Sequence, residues 1–481
     1  MISMPNPLYQ RSLLSPNKTA LVFEGERLSF EQLHEKVVKR AHTLKKLGVK
    51  KESHVGICMN SSAEFVITYF ALLYLGAVAV LFNTRLTKEE LSVQEGIGDV
   101  EFTVIDEIYK GIFQREEVIV SNETSFDGFL KEFSMNQVCS LLFTSGTTGR
   151  PKAVQLTFGN HYFSAMSSAL NTGIQEDDCY LAVMPLFHVG GLSIFHRSVL
   201  YGMKVVLLPK FNTTSIPNIM MQEKVTHASL VTKMLIDLLE IKEFCIYSSK
   251  LRSVLLGGGS VPKSLLEKCE TYQIPILQTY GMTETASQIV TLSLVDMKRK
   301  MGSCGRPLLT TSLKIMKDGK ECAPYVEGEI VVKSPTIMKG YYNNEEVTRL
   351  SFIDDWFYTG DIGYCDEEGY LYVVDRRKDL IISGGENIYP SEIENVLQMH
   401  PFVKEAGVVG KKDDVWGQIP IAYIVSAKPI TREEVQQFCQ TKLAKYKIPK
   451  EIIVVDKLPR TASQKLQRHK LQNSGRELYE N

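Results

Sequence analysis

Thr144-Ser145-Gly146-Thr147-Thr148-Gly149-Arg150-Pro151-Lys152 follows the apolar run Leu141-Leu142-Phe143, and its residue types point to one chemistry. A buried strand empties there into a turn with two glycines for close backbone approach, four hydroxyls and a terminal lysine, the set a polyphosphate needs. Gly-x-x-x-x-Gly-Lys-[Ser/Thr] does not fit, because Pro151 stands directly before Lys152. A flexible surface turn is the plainer reading, and it accounts poorly for a loop bracketed by a buried strand and a lysine.

A second apolar run ends in Gln278-Thr279-Tyr280-Gly281-Met282-Thr283-Glu284, where Tyr280 could stack on a purine and Glu284 could hold Mg2+ against phosphate oxygens. Taken alone, a strand end with a solvated glutamate reads equally well. Gly257-Gly258-Gly259 is either a tight turn feeding a helix or a flat backbone surface for a base or an acyl group. In Tyr358-Thr359-Gly360-Asp361 a carboxylate at a turn suits paired ribose hydroxyls. Asp375-Arg376-Arg377-Lys378-Asp379 is a dense charge cluster that would also serve as a solvated linker. Pro459-Arg460-Thr461-Ala462-Ser463-Gln464-Lys465 puts a lysine on a loop, a position that is ordinarily solvated and inert.

Elements must place these loops. From Lys18 to about Lys210 short β-rich runs alternate with helical stretches, as in His54–Met59 before Ala63–Leu75, and Leu251–Leu256 and Ile274–Thr279 continue the pattern. Such alternation predicts an α/β protein with covered sheets and ligands beyond the carboxyl ends of strands. After Met301, Ser312–Met316, Gly328–Lys333 and Tyr370–Val374 are punctuated by Lys317-Asp318-Gly319 and Asp366-Glu367-Glu368-Gly369, a small hairpin-rich β unit. From about Asp379 mixed α+β texture resumes, with capping boxes expected at Ser391/Glu394 and Thr431/Glu434.

With 481 residues the chain is too long for a single small module. Lys+Arg 55 against Asp+Glu 55 leaves no net field to steer it toward nucleic acid or an anionic membrane. Nine cysteines without a C-x-x-C pair read as reduced thiols of a cytoplasmic protein, and Met1–Ser12 does not read as a secretory signal. Phe65–Phe82 runs without a charge at the lower edge of membrane-spanning length, but Gly76 divides it into a helix-like and a β-like half, which predicts a buried helix and strand.

The text and order of Thr-Ser-Gly-Thr-Thr-Gly-x-Pro-Lys, Tyr-Gly-Met-Thr-Glu, Tyr-Thr-Gly-Asp and Arg-x-Lys-Asp resemble the acyl-adenylate-forming superfamily. The likeness spans nearly the whole chain, from Leu28-Ser29-Phe30-Glu31-Gln32-Leu33 to Lys465. Asp375 and Gln464 depart from it, standing where many members carry glycine. Pro185-Leu186-Phe187-His188-Val189-Gly190-Gly191, Ile382–Pro390 and Lys445-Tyr446-Lys447-Ile448-Pro449 are most similar to the bacterial o-succinylbenzoate-CoA ligase branch; medium-chain acyl-CoA and 4-coumarate-type ligases share much of this text.

This resemblance implies a large domain of covered sheets with a small β unit, residues 1–377, and a small mobile α+β domain, residues 378–481, hinged at Lys378. It also implies two half-reactions: a carboxylic acid and Mg-ATP give acyl-AMP and pyrophosphate, then coenzyme A displaces AMP. By the same resemblance, Thr144, Ser145, Gly146, Thr147, Thr148, Gly149 and Lys152 hold the β and γ phosphates, and Thr283 and Glu284 meet the α-phosphate and Mg2+, with Thr144 as a second metal contact. Gly257, Gly258, Gly259, Tyr280, Gly281 and Met282 surround the adenine, Asp361 binds the ribose, and Arg376 lies near ribose or phosphate. Lys465 reaches the α-phosphate and the attacking carboxylate, and His188 lines the acyl pocket. His196, Arg197 and Ser287 are candidates for a second substrate carboxylate. The stretch Lys442–Arg476, with ten basic and two acidic residues, serves Lys465 and the phosphates of CoA. No nucleic acid or stable membrane insertion is expected, and a homo-oligomer is compatible with the chain. A P-loop-like kinase would release ADP instead, and a non-catalytic nucleotide-binding protein would be expected to have lost Lys465 or Glu284.

Overall fold

An uncharged stretch as long as Phe65–Phe82 has to be buried, and the chain does so by splitting it. Ser62 accepts a hydrogen bond from the Phe65 amide and caps the helix Ala63–Leu75, Gly76 ends it in the left-handed region at φ 70°, and the strand Val78–Leu81 follows. Phe65 through Leu75 are all buried, as a helix that is apolar all round requires. Among the described residues no helix is long and apolar enough to cross a membrane.

The computed structural model describes residues 2–119, 128–145, 150–257, 261, 263–375, 380–459, 468 and 471. It divides into a first unit, residues 1–84, 94–143 and 153–374, and a second, residues 85–93, 144–152 and 375–481. The boundary expected at residues 377–378 falls outside the described residues.

In the first unit a seven-stranded sheet runs Gly340–Tyr341, Pro151–Thr157, Val138–Ser145, Val78–Leu81, His54–Cys58, Phe102–Ile105, Glu116–Val118. A nine-stranded sheet has a parallel centre, Ile276–Met282, Ser253–Leu256, His227–Leu230, Cys179–Ala182, Lys204–Leu207 and Thr19–Phe23, with antiparallel strands at both edges. Their buried runs read as nearly continuous Val, Ile and Leu because both faces are covered. The hairpin-rich β unit is a six-stranded sheet that includes Ser312–Lys317, Gly328–Lys333, Trp356–Cys365 and Leu371–Asp375.

Parallel strands need their amino ends pinned, and three adjacent ones share an ion network. Asp178 is buried, accepts at both carboxylate oxygens from Arg252 Nη1 at 2.5 Å and also from the Gln175 amide at 2.7 Å and Thr226 Oγ1 at 3.1 Å, and sits 3.1 Å from His227 Nε2, while His227 Nδ1 meets Ser253 Oγ at 2.7 Å. Burial pushes the Asp178 carboxyl up, but bonds from His227, Arg252 and the Gln175 amide outweigh it and hold it well below the usual range.

In the second unit the hairpin Val403–Asp413/Gly417–Ser426 takes Glu451–Val454 as a parallel neighbour, and the helices Pro390–Gln398 and Arg432–Gln440 accompany it. Thr431 and Glu434 form the expected capping box. Ser391 is not the N-cap of its helix: Tyr389 is, and Pro390, whose fixed φ suits the first turn, starts the helix two residues earlier. Lys447, 4% exposed, reaches Glu90 Oε1 and Glu392 Oε1 at 2.6 Å each, while Glu392 Oε2 is buried without a partner among the described residues. Burial pushes the Glu392 carboxyl up against the pull of Lys447.

Two expectations follow. A depressed folded-state pKa contributes stability above the ordinary carboxyl range that is lost as pH falls through the folded value. Asp178→Asn should therefore cost about 1–3 kcal/mol at neutral pH and flatten the loss of stability between roughly pH 4 and pH 2, read by circular dichroism melts; an unchanged acid limb would exclude this network as its source. Lys447→Met leaves two carboxylates buried together, and should lower stability by about 3–5 kcal/mol; urea melts followed by hydrogen exchange should place the loss at the amides of the second unit.

Candidate active site

The strand Ile276–Met282 carries Tyr280, Gly281 and Met282 to its carboxyl end, and a tight turn, Thr283–Thr285, follows. Its antiparallel neighbour Ser287–Thr291 lies so close that a Cβ on Gly281 would sit 2.1 Å from the Ser287 carbonyl oxygen, so only glycine fits. Thr285 Oγ1 accepts from the Met282 amide at 2.9 Å and donates to the Ser287 carbonyl at 2.7 Å. Ala286 and Ser287 hold φ of 51° and 98°, backbone strain of the kind that gathers at functional turns.

That turn presents Glu284, which is 4% exposed. Tyr341 Oη donates to Glu284 Oε1 at 3.0 Å, and the Met338 amide donates to the Glu284 carbonyl at 2.8 Å. Asp361, also buried, lies on the strand Trp356–Cys365; its Oδ2 accepts from Tyr280 Oη at 2.8 Å and its amide donates to Thr359 Oγ1 at 3.1 Å. The Thr359 hydroxyl in turn donates to the Ile330 carbonyl at 2.7 Å, fixing the corner to the next strand. The sequence suggests Tyr280 as a stacking face for a purine. The ring is 1% exposed within the core, and its hydroxyl donates to Asp361 Oδ2.

Gly257 follows the strand Ser253–Leu256, where a Cβ would meet Thr279 Cγ2 at 3.1 Å. Thr144 and the Ser145 backbone end the strand Val138–Ser145, and Lys152 lies half-buried on Pro151–Thr157. Gly146, Thr147, Thr148, Gly149, Gly258, Gly259, Arg376, Lys378 and Lys465 fall outside the described residues.

A second set of groups comes from the helix Val189–Tyr201. A Cβ on Gly191 would sit 2.3 Å from the Pro185 carbonyl, so the helix starts hard against the preceding loop, with His188 at its N-cap edge-on to Phe187. Arg197 is 2% exposed, yet among the described residues its guanidinium meets only hydroxyls: Tyr180 Oη and Ser287 Oγ, both at 3.4 Å. Its Nε has no partner, and among the described residues no carboxylate answers its charge.

His196, one residue earlier, is diverted from this group. Its Nε2 meets Tyr69 Oη at 2.7 Å, and its ring stacks on His161 with centroids 4.0 Å apart and planes within 3°. His161 Nε2 meets Ser140 Oγ at 2.9 Å. Burial pushes His161 down to about 3, and burial followed by the charge of His161 pushes His196 far below the usual imidazole range. Of the three candidates for a second carboxylate, the structure brings Arg197 and Ser287 together and makes His196 a satisfied neutral core residue. Tyr341, Tyr180 and His161 escaped the sequence reading: a single ring with a polar tip carries no spacing signal that names its partner.

The AMP-binding enzyme family matches residues 9–342, and the AMP-binding enzyme C-terminal domain matches residues 392–465. A 2-succinylbenzoate–CoA ligase of Bacillus thuringiensis subsp. konkukian is 50% identical over 477 residues, 98% of each chain. Among solved structures, a double mutant of o-succinylbenzoate CoA synthetase from Bacillus subtilis bound to its product analogue OSB-NCoA superposes with a TM-score of 0.95 at 44% identity, covering 98% of this chain and 99% of that one. The same enzyme in complex with ATP and magnesium ion gives a TM-score of 0.76, covering 98% and 100%.

Tyr280→Phe removes the hydroxyl that donates to Asp361 Oδ2. Nucleotide affinity, read by calorimetric titration with a non-hydrolysable ATP analogue, should fall about tenfold, as ~1–2 kcal/mol for an unsatisfied buried acceptor implies; unchanged affinity would separate Asp361 from nucleotide binding.

Proposed function

Because the chain belongs to the AMP-binding enzyme family, we propose that it joins 2-succinylbenzoate to coenzyme A, using ATP and releasing AMP and pyrophosphate. One carboxylate of the acid attacks the α-phosphorus of ATP with pyrophosphate leaving; the thiol sulfur of coenzyme A, losing its proton, then attacks the acyl carbonyl and AMP leaves. Mg2+, when bound, neutralises phosphate oxygens in the first step. Glu284 fits such a hard cation: it is a turn carboxylate with one oxygen bonded to Tyr341 and the other without a partner among the described residues.

The chain's own groups divide the remaining work. Asp361, oriented by Tyr280, takes the ribose hydroxyls, while Gly257–Gly259 and the backbone at Gly281 and Met282 flank the base. Thr144 through Lys152 hold the outer phosphates, Thr144 also reaching the metal, and Thr283 meets the α-phosphate. Arg376 reaches ribose or phosphate, Lys465 bridges the α-phosphate and the attacking carboxylate, and Lys378 is the hinge between residues 1–377 and 378–481. His188 lines the acyl pocket. The setting is the cytoplasm, with a homo-oligomer compatible and neither nucleic acid nor membrane insertion required.

The observation that carries the choice of acid is Arg197. A buried guanidinium met only by the Tyr180 and Ser287 hydroxyls is costly alone, and is answered by a ligand that brings a carboxylate of its own. A dicarboxylic acid has one to spare after the other is activated. The neutral His196 adds no charge, so recognition of the second carboxylate rests on Arg197.

The wild-type protein should exchange labelled pyrophosphate into ATP when 2-succinylbenzoate is added without CoA, and with CoA should yield AMP and the thioester mass; ADP in place of AMP would reject the class. Arg197→Gln should raise the KM for the dicarboxylic acid by roughly 100-fold, about 3 kcal/mol for a lost charged partner in a dry site, with the KM for ATP unchanged. If the variant handles 2-succinylbenzoate like the wild type, the second carboxylate binds elsewhere.

A further inference from the structure

Glu284 is gripped at two points by a single short segment. The Met338 amide bonds its carbonyl at 2.8 Å, and three residues on the Tyr341 hydroxyl bonds Oε1 at 3.0 Å. Tyr341 is itself rigidly set. It is 3% exposed, pairs antiparallel with Val154, and donates its amide to Thr348 Oγ1 at 2.9 Å; the Thr348 hydroxyl then donates to the Asn344 carbonyl at 2.8 Å. Gly340 allows this approach, with φ 149° and a Cβ position only 2.8 Å from Thr348 Cγ2. The platform behind the hydroxyl is thus fixed by strand pairing and by a threonine bridge, neither of which involves Glu284.

A carboxylate on an unsupported turn would rotate freely about its terminal torsion and present either oxygen. Here one oxygen is committed to a fixed phenol, so the other is turned outward, and it has no partner among the described residues. Partners that orient a ligating group are a recurrent requirement of metal sites. We propose that Tyr341 is a positioning residue: its hydroxyl locks the Glu284 carboxylate so that Oε2 is presented to the divalent cation that accompanies the nucleotide. This inference rests on the reading of Glu284 as a cation ligand and adds the group that aims it.

The test is Tyr341→Phe, which removes one oxygen and keeps the ring. Binding of Mn2+ as a probe in the presence of a non-hydrolysable ATP analogue, read by electron paramagnetic resonance, should weaken about fivefold to tenfold. Half-saturating Mg2+ in pyrophosphate exchange should rise by the same factor while the KM for the acid stays near wild type; loss of the buried bond should also lower the melting temperature in metal-free buffer. In a Glu284→Gln background the same change should have no further effect on Mn2+ affinity, because the group it aims is gone. Unchanged Mn2+ affinity in Tyr341→Phe, or additive losses in the double variant, would overturn the positioning role. Wild-type protein whose Mn2+ affinity is already equal to that of Glu284→Gln would instead overturn the cation reading of Glu284, and the positioning role with it.

Discussion

Two carboxylates nearly out of water, Glu284 and Asp361, set the terms for the structure around them. A buried polar group without a partner costs a few kcal/mol, so each must be bonded within the fold. The chain meets this demand twice in the same way, with a tyrosine hydroxyl delivered from a different strand: Tyr341 for Glu284 and Tyr280 for Asp361. A phenol suits the role because its ring can lie in the apolar core while only its tip reaches the polar group. The close approach at Gly281 and the bonds through Thr285 and Thr359 then serve one end, which is to bring the tips within reach.

The positive side of the site is organised by a different economy. Among the described residues Arg197 meets only hydroxyls, both at 3.4 Å, and the helix that carries it is packed so tightly at its start that glycine is required. An unanswered charge in that setting favours a ligand that supplies the missing half of the pair. On the proposed reading, acids of similar shape that lack a second carboxylate would be poor competitors, because they would leave the cation as costly as they found it.

Much of this was legible in the residues. Gly76 between a helix-like and a β-like half marked where the apolar stretch divides, and the alternation of elements foretold the strand ending at Leu256, while the strands expected to end near Phe143 and Thr279 run on to Ser145 and Met282. Thr431 with Glu434 announced its helix correctly, because a capping box is local. Ser391 misled for a local reason as well, since Pro390 competes for the same helix start and wins. What could not be read was long-range pairing: Tyr341 lies 57 residues from Glu284, and Lys447 lies 357 residues from Glu90. No period or spacing encodes such partners, and an aromatic ring in an apolar run looks the same with or without a carboxylate at its tip.

The stacked imidazoles of His161 and His196 carry one more implication. Histidines near a binding pocket commonly make its charge follow the acidity of the medium. Here the pair is held unprotonated by burial across the whole range in which cells vary, with His161 at about 3 and His196 depressed as well. Neither imidazole therefore contributes a charge that follows proton concentration.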